Sequence, residues 1–153
     1  MKYIKEFKSF KRTDKLSGIV LLVEGKVLLV HAKKHKKSND MWSFPKGHIE
    51  GKPLGSALKE LKEETGIKLG DDYENKFTIE YRSGDIRKVL KLYLYRRTIE
   101  DVSKYVTTDF KIKKKALKKV DNEIYDVSFF TIEESLKFLQ KGQRQVINHL
   151  VNY

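Results

Sequence analysis

The segment that most constrains this chain is the apolar run Gly18-Ile19-Val20-Leu21-Leu22-Val23, followed after Glu24-Gly25-Lys26 by Val27-Leu28-Leu29-Val30. It reads as two buried strands joined by a tight glycine turn. The run is far short of the roughly 20 apolar residues that span a bilayer, so no membrane helix is expected. The opening residues, Met1 to Phe7, interleave charges with apolar side chains. They lack the continuous apolar centre of a secretory signal, and a soluble cytoplasmic protein is the expectation.

A length of 153 residues fits one domain covering 1–153. A chain of this size buries roughly 68–70% of the surface its unfolded form exposes, enough for a core without staples. With 39% hydrophobic and 11% aromatic residues it is too apolar for disorder, despite 35% charged residues. The absence of cysteine excludes disulfides, thiolate nucleophiles, iron–sulfur clusters and cysteine-ligated zinc. The net charge of +12 favours polyanionic partners: phosphates, nucleotides or nucleic acid. Most of the basic residues are lysine, so solubility is the plain alternative, and arginine, the better bidentate reader of phosphate, is scarce.

Beyond the hairpin lies a polar basic loop from His31 to Asp40, then Met41 to Glu50, where Pro45 and Gly47 argue against continuous regular structure. Leu54, Ala57, Leu58 and Leu61 follow helical spacing up to Thr65, and Gly66 stands where a helix-ending glycine belongs. Strands are predicted over Phe77–Arg82, Val89–Tyr95 and Ile124–Phe130, with a last helix starting near Thr131 and running towards Val151. The order fits an α/β or α+β sandwich of helices on a mixed sheet. The stretch from Thr98 to Asn122 is less regular. Its lysine-rich part, Lys111 to Lys119, reads as a solvated loop or exposed helix ahead of an electropositive lid.

Chemistry concentrates in Lys59-Glu60-Leu61-Lys62-Glu63-Glu64-Thr65-Gly66-Ile67. At about 100° per residue, Glu63 and Glu64 lie about 60° and 40° to either side of Glu60, while Leu54, Leu58, Leu61 and Thr65 fall on another face. Neighbouring like charges destabilise a helix by a few tenths of a kcal/mol per pair, so something should compensate. Lys59 and Lys62 could do so on a solvated face. Alternatively, three carboxylates on rigid backbone suit a hard divalent cation, Mg²⁺ or Mn²⁺, which can hold phosphate oxygens. Pro45-Lys46-Gly47-His48, leading into this helix, supplies a rigid turn, a cation and close backbone approach.

Together these residues resemble the signature of the Nudix hydrolases, G-x5-E-x7-R-E-U-x-E-E-x-G-U with U aliphatic. Lys59 to Ile67 matches its second half with lysine in place of arginine; Gly47-His48-Ile49-Glu50-Gly51 resembles its opening, and Trp42-Ser43-Phe44-Pro45-Lys46-Gly47 the approach to it. Two departures stand out. The stretch between Gly47 and Lys59 is two residues shorter than the pattern, and Pro53 stands where a supporting glutamate is expected. Lys59 keeps the charge of arginine but loses its bidentate grip.

The resemblance implies a Nudix-type α/β/α sandwich and a pyrophosphohydrolase that uses Mg²⁺ or Mn²⁺. It implies Glu60 and Glu64 as principal metal ligands, Glu63 assisting, and the Lys46 carbonyl completing the site, with Lys46, His48 and Lys59 at the substrate. Glu123 is the candidate for a further ligand or general base on a later loop; an exposed strand-start acid is the alternative, and the base is either Glu60 or Glu123. The Pro-Lys-Gly-His opening is similar to that of members acting on dinucleoside polyphosphates such as diadenosine tetraphosphate. RNA 5′-end pyrophosphohydrolysis or decapping, nucleoside triphosphate cleavage, and a non-catalytic nucleotide- or RNA-binding module are the alternatives. Elsewhere, His31 and His35 read as solvated surface before a metal pair, and His48 either contacts phosphate or braces its loop. Trp42, Tyr81, Tyr93 and Tyr95 read as packing aromatics before base-stacking platforms. Gln143-Arg144-Gln145 reads as helix surface.

Overall fold

The computed structural model describes residues 10–118 and 120–151, the side chain of Val151 excepted. The Met1–Phe7 segment and Lys119 lie outside the described residues. The elements are β1 (Arg12–Val23), β2 (Lys26–Ala32), β3 (Lys46–His48), α1 (Pro53–Thr65), β4 (Asn75–Ser83), β5 (Ile86–Arg97), α2 (Lys114–Leu117), β6 (Ile124–Phe130), α3 (Ile132–Phe138) and α4 (Gln145–Val151).

The predicted hairpin lies at the sheet's centre, in strand order β4-β5-β1-β2-β6. Strand β1 begins at Arg12, six residues before the apolar run, because it pairs in parallel with β5 along its whole length, from Arg12 opposite Ile86 to Val23 opposite Arg97. On its other side β1 changes partner midway. Leu22 and Val23 pair with β2, whereas Leu16, Ser17 and Gly18 pair with His48, Gly47 and Lys46 of β3. That split makes the Pro-Lys-Gly bend a short strand where irregular chain was expected, and the Ile19 N–H donates to the Pro45 carbonyl at 3.0 Å.

Alternation along β1 sends residues to opposite faces. Ile19, Leu21 and Val23 pack with Ala57 and Leu61 of α1 and with Tyr93 and Tyr95 of β5. Leu16, Val20 and Leu22 pack with Trp42, Phe44, Leu139, Val146 and Ile147 on the other face. The result is the expected mixed sheet between helical layers. The stretch from Thr98 to Asn122 is a contributor to the first of these clusters, burying Val102, Val106, Ile112 and Ala116 while its described lysines stay exposed.

The predicted terminal helix is broken. Thr131 and Glu134 form a reciprocal capping box that starts α3, but Leu139 is extended at ψ 140 and fully buried. Helical hydrogen bonding is given up there for a bridge to Trp42: the Trp42 N–H donates to the Phe138 carbonyl at 3.0 Å, and the Gln140 N–H to the Trp42 carbonyl at 2.8 Å. Among the described residues no helix is long and apolar enough to cross a membrane.

Candidate active site

Helix α1 is set against the β3 bend by three local devices. Pro53 starts it, where a missing N–H costs nothing. The Ser56 hydroxyl donates to the Glu50 carbonyl at 2.7 Å and accepts from the Glu50 N–H at 2.8 Å, tying the loop to the first turn. Gly66 ends it at φ +80, a left-handed conformation that favours glycine. Ala57, Leu61 and Thr65 are buried, Leu54 and Leu58 partly so, and the glutamates occupy the face turned to the bend.

Glu64 lies deepest. Its carboxylate accepts the Lys46 main-chain N–H at 3.1 Å. Burial is the main force pushing its carboxyl well above the ordinary range; the Lys46 ammonium opposes the shift, and the charge and side-chain hydrogen bond of Glu60 reinforce it. Glu60 is also raised, by burial first and then by the charge of Glu63. The two carboxyls therefore hold a proton between them more readily than separated glutamates would. A divalent cation answers the same excess of negative charge. Gly47 makes room for this arrangement, since a Cβ there would fall on the Glu60 carboxylate.

Glu63 behaves as the plainer reading expects. It is held by Lys59 at 3.8 Å, and Lys59 also lies 3.9 Å from Glu50. Glu50 thus gives Lys59 a loop carboxylate although Pro53 occupies the position where the signature has its glutamate. Among the described residues, no three histidine, aspartate or glutamate side chains already converge closely enough to hold a cation. The Glu60–Glu64 pair is preassembled, with Glu63 alongside it. The buried Ser17 hydroxyl, opposite Gly47 in the β1–β3 register, has no hydrogen-bond partner. An acid pair short of counter-charge and an orphaned hydroxyl beside Gly47 together fit a hydrated divalent cation.

The structure brings two of the three predicted substrate residues to one cavity, and Lys46 is not in its lining. His48, Lys59 and Glu60 line a cavity of about 160 Å³ together with Glu50 and Ser56. Lys46 is largely desolvated, which lowers its ammonium pKa, while Glu64 and Glu60 pull it back up. Glu123 stands in an exposed turn: its carbonyl accepts from the Lys33 N–H at 2.8 Å, and its own N–H donates to the Asp121 carboxylate at 3.0 Å. Sequence reasoning missed Asp121. Its N–H donates to the Glu63 carbonyl at 2.7 Å, and its charge reaches Glu60. The acidic turn at Asp121-Asn122-Glu123 was a visible signal, but which acid meets the helix depends on that long-range main-chain bond.

Other readings are corrected. His31 is not solvated surface: it is buried, stacked on Trp42 with ring centroids 4.7 Å apart, and its Nε2 lies 2.7 Å from the His35 carbonyl. Gln143 is not helix surface either. It is fully buried, its side-chain oxygen accepts the Phe44 N–H at 3.1 Å, and it braces the chain just before the bend. Trp42, Tyr93 and Tyr95 are core, and the Tyr81 hydroxyl bonds Gln143.

A NUDIX domain family model matches residues 13–150. This chain belongs to the Nudix family. As a Nudix hydrolase it is an enzyme of phosphoric anhydride bonds, and hydrolases of this family generally need divalent metal ions. Solved structures share its fold at low identity. A C. elegans Ap4A hydrolase in a binary complex is 18% identical, with TM-score 0.63, over 92% of this chain and 99% of that one. A MutT protein from Methanosarcina mazei is 16% identical, with TM-score 0.67, over 93% and 95%. A bifunctional NMN adenylyltransferase/ADP ribose pyrophosphatase from Francisella tularensis, complexed with AMP and an Mn ion, is 19% identical, with TM-score 0.66, over 99% of this chain and 46% of that one. A search of curated proteins finds no sequence match.

Proposed function

We propose that this Nudix domain, spanning 1–153, is a Mg²⁺- or Mn²⁺-dependent pyrophosphohydrolase that cleaves a nucleoside diphosphate linked to another moiety, with dinucleoside polyphosphates such as diadenosine tetraphosphate as the preferred class. The observation that carries the reading is the half-buried Glu60–Glu64 pair under Gly47, with Glu64 anchored on the Lys46 N–H. Glu60 and Glu64 would hold the cation, with Glu63 and the Lys46 carbonyl assisting. When bound, the ion supplies charge neutralisation for the pyrophosphate oxygens and acidifies an attacking water.

The chain's own residues do the rest. His48 and Lys59, at the rim of the cavity, bind and orient phosphate oxygens. Lys46 adds a desolvated positive charge beside the carboxylates, where electrostatic stabilisation is strongest. Glu60 or Glu123 accepts the proton of the attacking water; Asp121, within electrostatic reach of Glu60, holds that carboxylate's proton affinity up. The preference for a dinucleoside polyphosphate rests on the Pro45-Lys46-Gly47-His48 opening and agrees with the fold shared with the C. elegans Ap4A hydrolase.

The test is chromatographic product analysis with diadenosine tetraphosphate (ATP plus AMP, or two ADP), nucleoside triphosphates (monophosphate plus pyrophosphate) and triphosphorylated RNA (5′-monophosphate RNA plus pyrophosphate), with and without Mg²⁺, repeated for Glu64→Gln. Turnover of RNA alone would overturn the dinucleotide preference. Metal-independent turnover, or full activity in Glu64→Gln, would overturn the site.

A further inference from the structure

At the C-terminal end of α1, behind the acidic face, Lys62, Lys68, Lys104, Lys113 and Lys115 line a cleft of about 390 Å³ together with Tyr105. On a helical wheel Lys62 points about 160° from Glu60, so this cleft and the carboxylates open on opposite sides of the helix. Its floor is tight: a Cβ on Gly66 would strike the Ala116 carbonyl and side chain, so α2 is seated directly on the end of α1. Its wall is pinned as well, because the Lys113 N–H donates to the Tyr105 carbonyl at 2.8 Å. The lysines are exposed, yet their backbone positions are set by buried neighbours on either side, Ile112 and Ala116 among them.

Arg12 and Lys88 pair with Asp14, Arg87 with Glu80, Arg96 with Glu74, Arg97 with Asp72, and Lys59 with Glu63, whereas the lysines of the 33–37 loop, like those of the cleft, form no ion pair among the described residues. The cleft differs from that loop in its larger hollow, about 390 against about 220 Å³, and in the tyrosine ring of its lining. Among the described residues none of the five cleft lysines forms an ion pair with a carboxylate, and no acidic residue lines the cleft. A concave surface of one sign focuses its field and concentrates anions. Several compact ammonium groups around one hollow suit a ligand that brings several negative charges at short intervals. The half-buried Tyr105 ring offers a flat apolar surface beside them.

We infer that the five-lysine cleft is a second anion site, separate from the carboxylates, which binds a run of consecutive phosphates. Two sources carry that chemistry: a free polyphosphate, or the backbone of a single-stranded oligonucleotide with a base against Tyr105.

The experiment measures binding by fluorescence anisotropy in EDTA, so that no cation fills the carboxylate site and the outcome does not depend on the proposed hydrolase reading. The probes are a labelled 5′-hydroxyl RNA of roughly ten nucleotides, a length within the range one such surface covers, and tripolyphosphate as its competitor. Wild type is compared with Lys68→Gln/Lys104→Gln/Lys115→Gln and with an equal charge loss on the other lysine-rich loop, Lys33→Gln/Lys34→Gln/Lys36→Gln. RNA binding should weaken about tenfold or more in the cleft variant only. Its dependence of log K on log salt should flatten by roughly 0.7 for each phosphate that the cleft no longer neutralises. All six lysines are exposed, so thermal melting of both variants should match wild type. Tripolyphosphate displacing the RNA at low concentration while cleft-dependent RNA binding is weak assigns the site to free polyphosphate. Equal losses in the two variants would show only the pull of the net charge and overturn the inference, as would the absence of binding by either probe.

Discussion

Glu64 bears the heaviest electrostatic load among the three glutamates, because it is the most buried and shares its hydrogen bonding with Glu60. Glutamine preserves its shape and removes its charge. Glu64→Gln should therefore lower kcat by roughly a hundredfold or more on whichever anhydride substrate the wild type turns over, since charge preorganised at the reacting phosphates is lost. A steady-state assay with saturating Mg²⁺ checks this; a purely structural role would instead appear as misfolding, visible by circular dichroism. Lys59 acts differently, by spacing. It lies between Glu50 and Glu63 at 3.9 and 3.8 Å, both too long and too exposed to contribute more than about 1 kcal/mol to stability. Lys59→Ala should leave the melting temperature nearly unchanged while raising the Mg²⁺ concentration for half-maximal activity by about tenfold, the usual effect of losing a group that orients a ligand. Lys59→Arg should restore it.

The elements that hold these residues depend on a few close approaches. Gly66 is left-handed and so near the Ala116 carbonyl that a methyl group cannot fit without moving α2. Gly66→Ala should cost about 2–3 kcal/mol, adding the left-handed penalty to the steric one, and a urea melt should show a lower midpoint at unchanged slope. That glycine was readable in the sequence, as were the central hairpin, the face of α1 and the span of β6, because each is a local pattern of period 2 or 3.6 with its own end signals. What could not be read depended on partners far along the chain. The three-residue β3 exists because β1 changes partner at Gly18. The last helix stops at Leu139 because Trp42, almost a hundred residues earlier, accepts and donates the hydrogen bonds that would have continued it, although Lys141-Gly142 offered a weak warning. His31 and Gln143 were misread for the same reason: polar residues look like surface until their buried partners are known. At the site, the pairing of Glu60 with Glu64 and of Glu63 with Lys59 four residues away followed from helical spacing, whereas the approach of Asp121 needed the tertiary structure.

Across the whole molecule a net charge of +12 coexists with a half-buried pair of acids, and proton linkage connects that local tension to global stability. Glu64 has an ordinary carboxyl value of 4.5 and is raised well above it in the fold. In the pH interval between those two values the native state holds a proton that the unfolded chain has released, so this group's contribution is complete below about 4.5 and is lost as pH rises towards the native value. Other groups act in the opposite sense. Asp14, lowered by its bonds from Lys88 and Arg12, stabilises above about 3.8 and has finished titrating before this interval opens. His35, lowered by burial, gains stability up to its ordinary 6.5. The raw melting curve therefore mixes signs, and the difference between wild type and Glu64→Gln isolates Glu64 together with the Glu60 and Lys46 groups coupled to it. In EDTA the variant should melt above wild type, by a margin that widens as pH rises above about 4.5. Added Mg²⁺ or Mn²⁺ should reverse the order, because a ligand that binds only the native state stabilises by RT ln(1 + [L]/Kd) and the variant has lost half of the paired site. The metal-induced gain in wild type should also grow with pH, as the cation no longer competes with the shared proton. A differential scanning series over pH and metal tests all of these together. A margin that stays flat or shrinks with rising pH would mean that Glu64 is already ionised in the fold, with the Lys46 ammonium balancing it.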